Sequence, residues 1–307
     1  MPNYDTKIDS RVAPHLLHFY AFDTPSGTPI PTLLTIAGHD PSSGAGITAD
    51  LQVFAAHRCF GISSITALTV QSTLGVAEIH PIPPDLLQRT LANLTADLPP
   101  DGVKIGMLGS AAIAETVAAF LKQGITPDSP NLAQNGLTIP IVHVPKVLDP
   151  ILRASSGAPL LDRDALKTLH HRLLPAVTWI TPNWHELSAL TSLPVTTLDE
   201  AEAATHALAA RHPHLHIVAT AGDQSHPTDF LRLPSGELHR FTGEHVATTS
   251  THGTGCAFSS ALLSRLALGD TPPSAVQAAK RYTTEALRRA PNLGHGRGPL
   301  NLLWPLS

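Results

Sequence analysis

The chain has 307 residues, of which 42% are hydrophobic and 14% charged, and its formal net charge is -4. A chain of this length and hydrophobic content can bury the core of one large domain. The mildly acidic balance without a basic run disfavours nucleic acid and anionic membranes as partners.

The cysteine content and the apolar segments indicate a cytoplasmic protein. Only two cysteines occur, Cys59 and Cys256, so the chain has no disulfide framework and a reducing compartment fits best. No apolar run reaches the length of about 20 residues that spans a bilayer. The N-terminus lacks the basic and apolar regions of a secretory signal.

Short apolar segments alternate with amphipathic ones after Pro31. The apolar segments predict strands at residues 33–38, 63–70, 103–106, 139–148, 177–180 and 216–220. The segments with helical spacing predict helices at residues 45–56, 86–98, 111–122, 164–174, 201–210, 259–267 and 275–289. This alternation predicts an α/β fold in which helices cover both faces of a mostly parallel sheet.

Three segments fall outside this alternation. Residues 1–30 are rich in Pro, Asp, Ser and His, and we interpret them as an N-terminal extension. Residues 127–138 indicate a surface insertion, and residues 232–249 a hairpin or loop. The remaining polar clusters come directly after predicted strands, where parallel sheets bind their ligands.

A glycine-rich cluster at residues 249–259 precedes a predicted helix and contains Gly253, Thr254, Gly255 and Cys256. Glycines let the backbone approach an anion closely, and the free amides of a helix start point toward it. Such a loop can hold the charge that develops between phosphates during phosphoryl transfer. An ordinary glycine-rich turn beside a small core cysteine explains the same residues.

Two further clusters are less specific. Residues 37–46, followed by Asp50, are neither a Walker A loop nor a dinucleotide fingerprint, and alone they indicate a plain strand-to-helix turn. Asn183 and Glu186 are spaced to share a helix face, where they can hold Mg²⁺ through waters or simply cap the helix. Asp149, at another strand end, has the same two interpretations.

In order along the chain, these clusters resemble the hydroxymethylpyrimidine/phosphomethylpyrimidine kinases of thiamin biosynthesis, which belong to the ribokinase-like superfamily. The resemblance covers the chain after Pro31 and rests on residues 37–50, 66–71, 103–108, 148–150, 181–186, 252–256 and 294–299. It implies a three-layer α/β/α fold with the kinase domain at residues 31–307. It also implies a homodimer that uses ATP and Mg²⁺.

The resemblance implies two reactions and a set of site residues. The enzymes of this family phosphorylate 4-amino-5-hydroxymethyl-2-methylpyrimidine and then its monophosphate, which becomes the diphosphate. The residues implied for the pyrimidine pocket are Gly38, Asp50, Val70, Gln71 and Met107, with Gln71 on the ring edge. Those implied for nucleotide and metal are Asp149, Asn183, Glu186 and Thr220. The anion hole would comprise Gly253, Thr254 and Gly255, beside a catalytic Cys256.

Cys256 is the feature that marks this branch, because most members of the superfamily carry an aspartate there. A helix N-terminus lowers the pKa of a thiol, which would let Cys256 accept the proton of the alcohol, whereas nearby phosphates would favour the neutral thiol. A phosphate monoester is already an oxyanion near neutral pH, so the second reaction scarcely needs a base, and we expect Cys256 to matter more for the first. The chain also lacks lysines that the family places near the phosphates, and Arg153 or Lys104 are the candidates to compensate.

Two alternative functions stay open at this point. A pyridoxal or pyridoxine kinase acts on a similar ring that bears a primary alcohol, although Gln71 and Cys256 favour the pyrimidine. A regulatory protein that kept the pyrimidine pocket but is catalytically weak would explain the missing lysines, although the intact loop at residues 252–256 argues against it.

Overall fold

The computed structural model describes residues 30–123, 143–152, 163–222 and 227–306. Residues Pro31–Ser307 form one compact unit. The predicted insertion at residues 127–138, together with Arg153, lies outside the described residues, as does the predicted extension apart from Ile30.

The sheet of the described residues has nine strands in the order β3-β2-β1-β4-β5-β6-β7-β8-β9. The five pairings from β2 through β1 and β4 to β7 are parallel, and those of β2 with β3, β7 with β8 and β8 with β9 are antiparallel. The strands are β1 Thr32–His39, β2 Phe60–Ser72, β3 Gly75–Pro81, β4 Gly102–Ile105, β5 Lys146–Leu148, β6 Trp179–Ile180, β7 His216–Ala219, β8 Thr228–Arg232 and β9 Leu238–Thr242.

The α-helices of the same residues cover both faces of this sheet. They are α1 Gly46–Ala56, α2 Pro84–Asp97, α3 Ala111–Gln123, α4 Arg163–Thr168, α5 Trp184–Thr191, α6 Leu198–Arg211, α7 Thr254–Ala267 and α8 Pro272–Arg288. After α4 the chain continues through a π-helical turn, Leu169–Leu173, and a 3-10 turn, Leu174–Ala176.

Two apolar cores, one on each face of the sheet, make the fold a three-layer α/β/α structure. Successive strand residues point to opposite faces. In β1, Leu34 and Ile36 accordingly join the core under α2, α3, α5 and α6, whereas Leu33 joins the core under α1, α7 and α8. The predicted three-layer α/β/α fold with a mostly parallel sheet is therefore confirmed.

The differences from the sequence prediction concern the ends of some elements and the strands of the two hairpins. Helix α7 begins at Thr254, five residues earlier than predicted, because a glycine-rich start hides the helical periodicity. Strand β3 was not predicted, since it alternates weakly and lies at the sheet edge. The predicted strand at 139–148 is reduced to Lys146–Leu148, and residues 139–142 lie outside the described ranges. The predicted excursion at 232–249 contains β9, the second strand of a hairpin with β8.

The order of the strands places the polar clusters at one edge of the sheet. The chain leaves β1 toward β2 on one side, whereas it leaves the adjacent strand β4 toward β5 on the other side. Such a switch point opens a crevice for ligands beyond the strand ends. No helix within the described ranges is long and apolar enough to cross a membrane.

Candidate active site

The start of helix α7 presents free backbone amides at the carboxyl edge of the sheet. Its N-cap, Gly253, has a φ of 85°, and no side chain caps the helix. A Cβ on Gly253 would overlap the carbonyl oxygen of Gly44, so the loop before α1 and the start of α7 lie in direct contact. Gly255 is exposed. A helix start of this kind is suited to an anion.

A chain of hydrogen-bonding groups connects this helix start to β2. The Nε2 atom of His252 lies 2.6 Å from Oδ2 of Asp40. The same Nε2 lies 3.1 Å from Nε2 of Gln71. Asp40 also accepts hydrogen bonds from the backbone amides of Ser42, at 2.8 Å, and Ala45, at 2.9 Å. The three segments at residues 40–45, 71 and 252–253 therefore form one unit.

The residues predicted for the pyrimidine pocket divide between this unit and its surroundings. Gly38 faces Met107, because a Cβ on Gly38 would lie 2.5 Å from Cε of Met107. Gln71 is partly exposed and contacts His252. Val70 lies one residue away on the exposed part of the β2–β3 hairpin.

Asp50 lies beneath this edge rather than on its surface. Its side chain is 0% exposed, and both oxygens lie 2.9 Å from Nζ of the equally buried Lys104. The hydroxyl groups of Thr35 and Ser260 donate to the same carboxylate, at 2.6 Å and 2.8 Å. The expectation that Lys104 compensates for a missing phosphate-binding lysine is therefore wrong, because its ammonium group is committed to Asp50.

Two buried carboxylates, Asp149 and Glu186, lie beside the helix start. Burial raises the pKa of Asp149 to about 6, although Lys104 acts in the opposite direction. Burial and the negative charge of Asp149 raise the pKa of Glu186 to about 8. A cation placed near both groups would stabilise their ionised forms and so lower both pKa values. A Cβ on Gly255 would lie 3.5 Å from Oδ2 of Asp149, so this pair lies close to the start of α7.

Asn183 forms both parts of a capping box at the start of α5. Its side chain accepts from the backbone amide of Glu186, and Glu186 accepts from the backbone amide of Asn183, each at 2.9 Å. Thr220 pairs with Asn183 in a parallel bridge. The ends of β6 and β7 thus bring the residues predicted for nucleotide and metal together.

The Cys256 thiol is buried on the first turn of α7, with a side chain 4% exposed. Burial raises its pKa to about 12; Lys104 acts in the opposite direction, and the carboxylates of Asp50 and Asp149 add to the rise. The expectation that the helix N-terminus lowers this pKa is therefore wrong. Loss of solvent and two nearby carboxylates outweigh the helix start.

Sequence reasoning missed the roles of His252 and Asp40, although both fall inside the quoted motifs. Their side chains meet across a separation of 212 residues. Sequence spacing carries no signal for a contact of that kind. One hint was present in the sequence: both loops adjoin glycines and lie at the ends of predicted strands or helices.

Solved structures with the same architecture include a pyridoxal kinase and a phosphomethylpyrimidine kinase. The pyridoxal kinase of Staphylococcus aureus in complex with ADP superposes with a TM-score of 0.75 at 24% identity, over 90% of this chain and 94% of that chain. The phosphomethylpyrimidine kinase of Clostridium difficile superposes with a TM-score of 0.68 at 30% identity, over 84% of this chain and all of that one. Fold and site together define a ribokinase-like small-molecule kinase.

The family follows from the sequence comparisons. The family model described as phosphomethylpyrimidine kinase matches residues 40–130 and 131–301. A hydroxymethylpyrimidine/phosphomethylpyrimidine kinase of Haemophilus influenzae is 39% identical over 88% of this chain and 95% of its own length. One of Synechococcus elongatus is 35% identical over 90% of this chain and 99% of its own. The chain belongs to the phosphomethylpyrimidine kinase family.

Proposed function

We propose that this enzyme transfers the γ-phosphoryl group of ATP to 4-amino-5-hydroxymethyl-2-methylpyrimidine and then to the resulting monophosphate, in thiamin biosynthesis. The observation that carries the proposal is the contact of Gln71 with the loop that opens α7. It places a group suited to a pyrimidine edge next to a group suited to phosphate. Relatives 35–39% identical over most of the chain carry the names of these two activities.

The residues of the chain divide the work of this reaction. Gln71 binds the ring edge, and Gly38, Val70 and Met107 line the pocket. The buried side chain of Asp50 supports the floor of this pocket. The first amides of α7, at residues 253–255, stabilise the charge that develops on the transferred group. Cys256 lies next to these amides, where it receives the proton of the substrate alcohol. Asn183 and Thr220 bind the nucleotide.

Mg²⁺ fits the pair of buried carboxylates at Asp149 and Glu186. Burial raises the pKa of both carboxyl groups; the charge of Asp50 adds to the rise at Asp149, and the charge of Asp149 adds to the rise at Glu186. Mg²⁺ prefers oxygen ligands and keeps several waters, so we assign contact through water. The bound ion would neutralise charge on the phosphates. Among the described residues no group of three or more His, Cys, Asp or Glu side chains is arranged to hold a metal directly.

The proposal includes the organisation of the whole chain. We assign residues 31–307 to the kinase domain and residues 1–30 to an extension. We place the enzyme in the cytoplasm, which agrees with two buried, unpaired cysteines. We assign a homodimer through the β2–β3 hairpin, where Leu68 and Leu74 are 49% and 73% exposed.

Product identification tests the proposed activity. Purified enzyme is incubated with Mg-ATP and hydroxymethylpyrimidine, and the products are separated and weighed by mass spectrometry. We expect both the monophosphate and the diphosphate. Monophosphate alone would restrict the enzyme to the alcohol step. Binding of the pyrimidine without any product from it or from its monophosphate would instead support a regulatory protein.

Pyridoxal kinase activity is the second candidate, and the structural neighbours favour it. A pyridoxal kinase of Bacillus subtilis in complex with ADP superposes with a TM-score of 0.75 at 28% identity, over 91% of this chain and all of that one. Turnover with both alcohols present at equal concentration separates the two functions. We expect the pyrimidine to be consumed first, and preferential consumption of pyridoxal would reverse the assignment.

A further inference from the structure

The Asp40 carboxylate accepts hydrogen bonds at both of its oxygens. Oδ1 accepts from the amide and the hydroxyl of Ser42, at 2.8 Å and 2.7 Å. Oδ2 accepts from the amide of Ala45, at 2.9 Å, and lies 2.6 Å from Nε2 of His252. An ionised carboxylate only accepts hydrogen bonds. At this distance, Nε2 of His252 must therefore carry the proton that it donates to Asp40.

The ring of His252 has little freedom to leave this position. Its side chain is 9% exposed. A Cβ on Gly44 would overlap Cδ2 of the imidazole, so the ring packs directly against the Gly44 backbone. The backbone amide of His252 donates to the carbonyl of Gly298 at 3.1 Å. Both the ring and its backbone are thus held in place by contacts within the protein.

The amide of Gln71 lies between two groups whose hydrogen-bonding roles are already set. The end of the amide assigned as Nε2 is 3.1 Å from Nε2 of His252, whose one N–H points to Asp40 and leaves no lone pair to accept a hydrogen bond. The other end is 3.3 Å from the hydroxyl of Thr69, which donates its own proton to the carbonyl of His39 at 2.8 Å. Toward Gln71 the Thr69 hydroxyl therefore acts as an acceptor.

Both neighbours select the same orientation of the amide. A half-turn about the Cγ–Cδ bond exchanges the oxygen and nitrogen of a glutamine in place. The carbonyl oxygen must face the His252 donor, and the NH₂ group must face the Thr69 acceptor. In the opposite orientation, two donors would face each other at His252 and two acceptors would face each other at Thr69.

We propose that His252, held by Asp40, is a positioning residue that fixes which end of the Gln71 amide accepts and which end donates. The fixed orientation leaves one lone pair of Oε1 and one N–H on the outer edge of the amide. That pair matches a ring edge on which an amino group stands next to a ring nitrogen. Because the order of donor and acceptor is set, it also sets which way the ring and its hydroxymethyl group point.

The inference rests on the proposed function, and equilibrium binding without nucleotide tests it. The titrants are hydroxymethylpyrimidine and 4-methylbenzyl alcohol, which has neither the amino group nor a ring nitrogen. His252→Phe keeps a ring but removes the donor, and we expect it to weaken binding of the aminopyrimidine about tenfold, because the released Gln71 side chain would be in the competent position and orientation only about a tenth of the time. Binding of the benzyl alcohol should change less than about twofold.

Rescue and a double-mutant cycle separate positioning from a general structural effect. His252→Gln restores a nitrogen donor, so its affinity for the aminopyrimidine should return to within about threefold of wild type. In a Gln71→Ala background, His252→Phe should have almost no further effect. Ser42→Ala removes a different donor to Asp40 and serves as the matched control with unchanged affinity. Independent effects of His252→Phe and Gln71→Ala, or equal losses for both ligands, would overturn the inference.

The protonation of His252 can be read in the unmodified protein. ¹⁵N NMR of the imidazole should report a protonated Nε2, whether or not the variants fold. An unprotonated Nε2 would overturn the inference on its own. Tight binding of pyridoxal but no binding of hydroxymethylpyrimidine by wild type would instead remove the proposed function, with the NMR result still deciding the state of His252.

Discussion

At the scale of single residues, Cys256 carries a conflict between its surroundings and its proposed task. Burial and two carboxylates raise the pKa of its thiol to about 12. The thiol is therefore neutral near pH 7, and the thiolate is a small fraction of the population. A group with so high a pKa is a strong proton acceptor only in its rare ionised form, so the reaction that depends on it should respond to pH.

We expect the two phosphorylations to differ in their dependence on pH and on Cys256. Below its pKa the thiolate fraction rises about tenfold per pH unit, so kcat/KM for the alcohol should increase from pH 6.5 to 9. For the monophosphate, kcat/KM should level off above the second phosphate pKa of about 6. Cys256→Ala should abolish the rise for the alcohol and leave the monophosphate reaction nearly unchanged. Equal losses with both substrates, measured in steady-state assays, would exclude this role.

Glu186 is a second residue at which charge and burial conflict. Its pKa is raised from 4.5 to about 8 in the folded protein. The folded state therefore holds the proton more tightly than the unfolded state, and this group destabilises the fold progressively as pH rises from 4.5 to 8. Glu186→Gln removes the charge but keeps the capping box, which accepts either residue.

We expect Glu186→Gln to raise the thermal unfolding temperature at pH 8, with the gain shrinking as pH falls toward 4.5. The gain should be at least about 1 kcal/mol, since one pKa unit corresponds to about 1.4 kcal/mol. Turnover with Mg-ATP should fall, because the variant loses an assigned metal contact. Glu115→Gln, at an exposed position of α3, is the control and should change neither property. A stability gain that is independent of pH would contradict our attribution of the destabilisation to the buried charge of Glu186.

At the scale of elements, two glycines at the start of α7 have different tasks. Gly253 has a φ of 85° and lies against the Gly44 backbone, where no side chain fits. Gly255 is exposed, and a Cβ there would make only ordinary contact with Asp149, at 3.5 Å. The first glycine therefore shapes the loop, whereas the second leaves space in front of the helix amides.

We expect Gly253→Ala and Gly255→Ala to separate these tasks. Gly253→Ala should lower the unfolding temperature by several degrees and abolish turnover, because it adds strain of about 1–2 kcal/mol and a clash with Gly44. Gly255→Ala should leave the unfolding temperature unchanged. It should still lose activity, because the added methyl group occupies the space in front of the helix amides and weakens phosphate binding. Differential scanning calorimetry measures the unfolding temperature. An ADP-binding titration measures phosphate binding, and a steady-state assay measures turnover. Full activity in Gly255→Ala would show that phosphate does not approach this amide.

The elements themselves were largely predictable, because hydrophobic periodicity and composition carry most of their signal. Helix α8 and strand β1 follow the predicted segments within a few residues. The start of α7 was not predictable in this way, since Gly253 and Gly255 have no side chains to show a period. Strand β3 was missed because an edge strand with one exposed face needs few apolar residues.

At the scale of the whole molecule, the positions of the site residues were predictable but their partners were not. That polar residues gather at one sheet edge follows from the parallel topology. Whether a given side chain faces the crevice depends on packing, and Asp50 illustrates this, because its carboxylate pairs with Lys104 on a neighbouring strand. Only the folded structure brings Asp40 and His252 together.

The exposed apolar side chains of the β2–β3 hairpin predict an interface between two copies of the chain. We expect wild type to sediment as a dimer and Leu68→Asp to shift it toward monomer, because a charge in an apolar interface is costly. Leu268→Asp is the matched control, since Leu268 is 42% exposed against 49% for Leu68 but lies at the end of α7. A monomeric wild type, or equal effects of both substitutions in analytical ultracentrifugation, would remove the hairpin as the interface.

The contact of Asp40 with His252 also has a consequence for the biogenesis of the enzyme. Their separation of 212 residues means that the ribosome must synthesise most of the chain before the first loop meets its partner. Contacts of such long range are slow to form, because a large loop must close first. A nascent chain that ends before α7 therefore lacks the helix start that we propose binds phosphate. The growing polypeptide cannot trap cellular nucleotide or consume it until synthesis is almost finished.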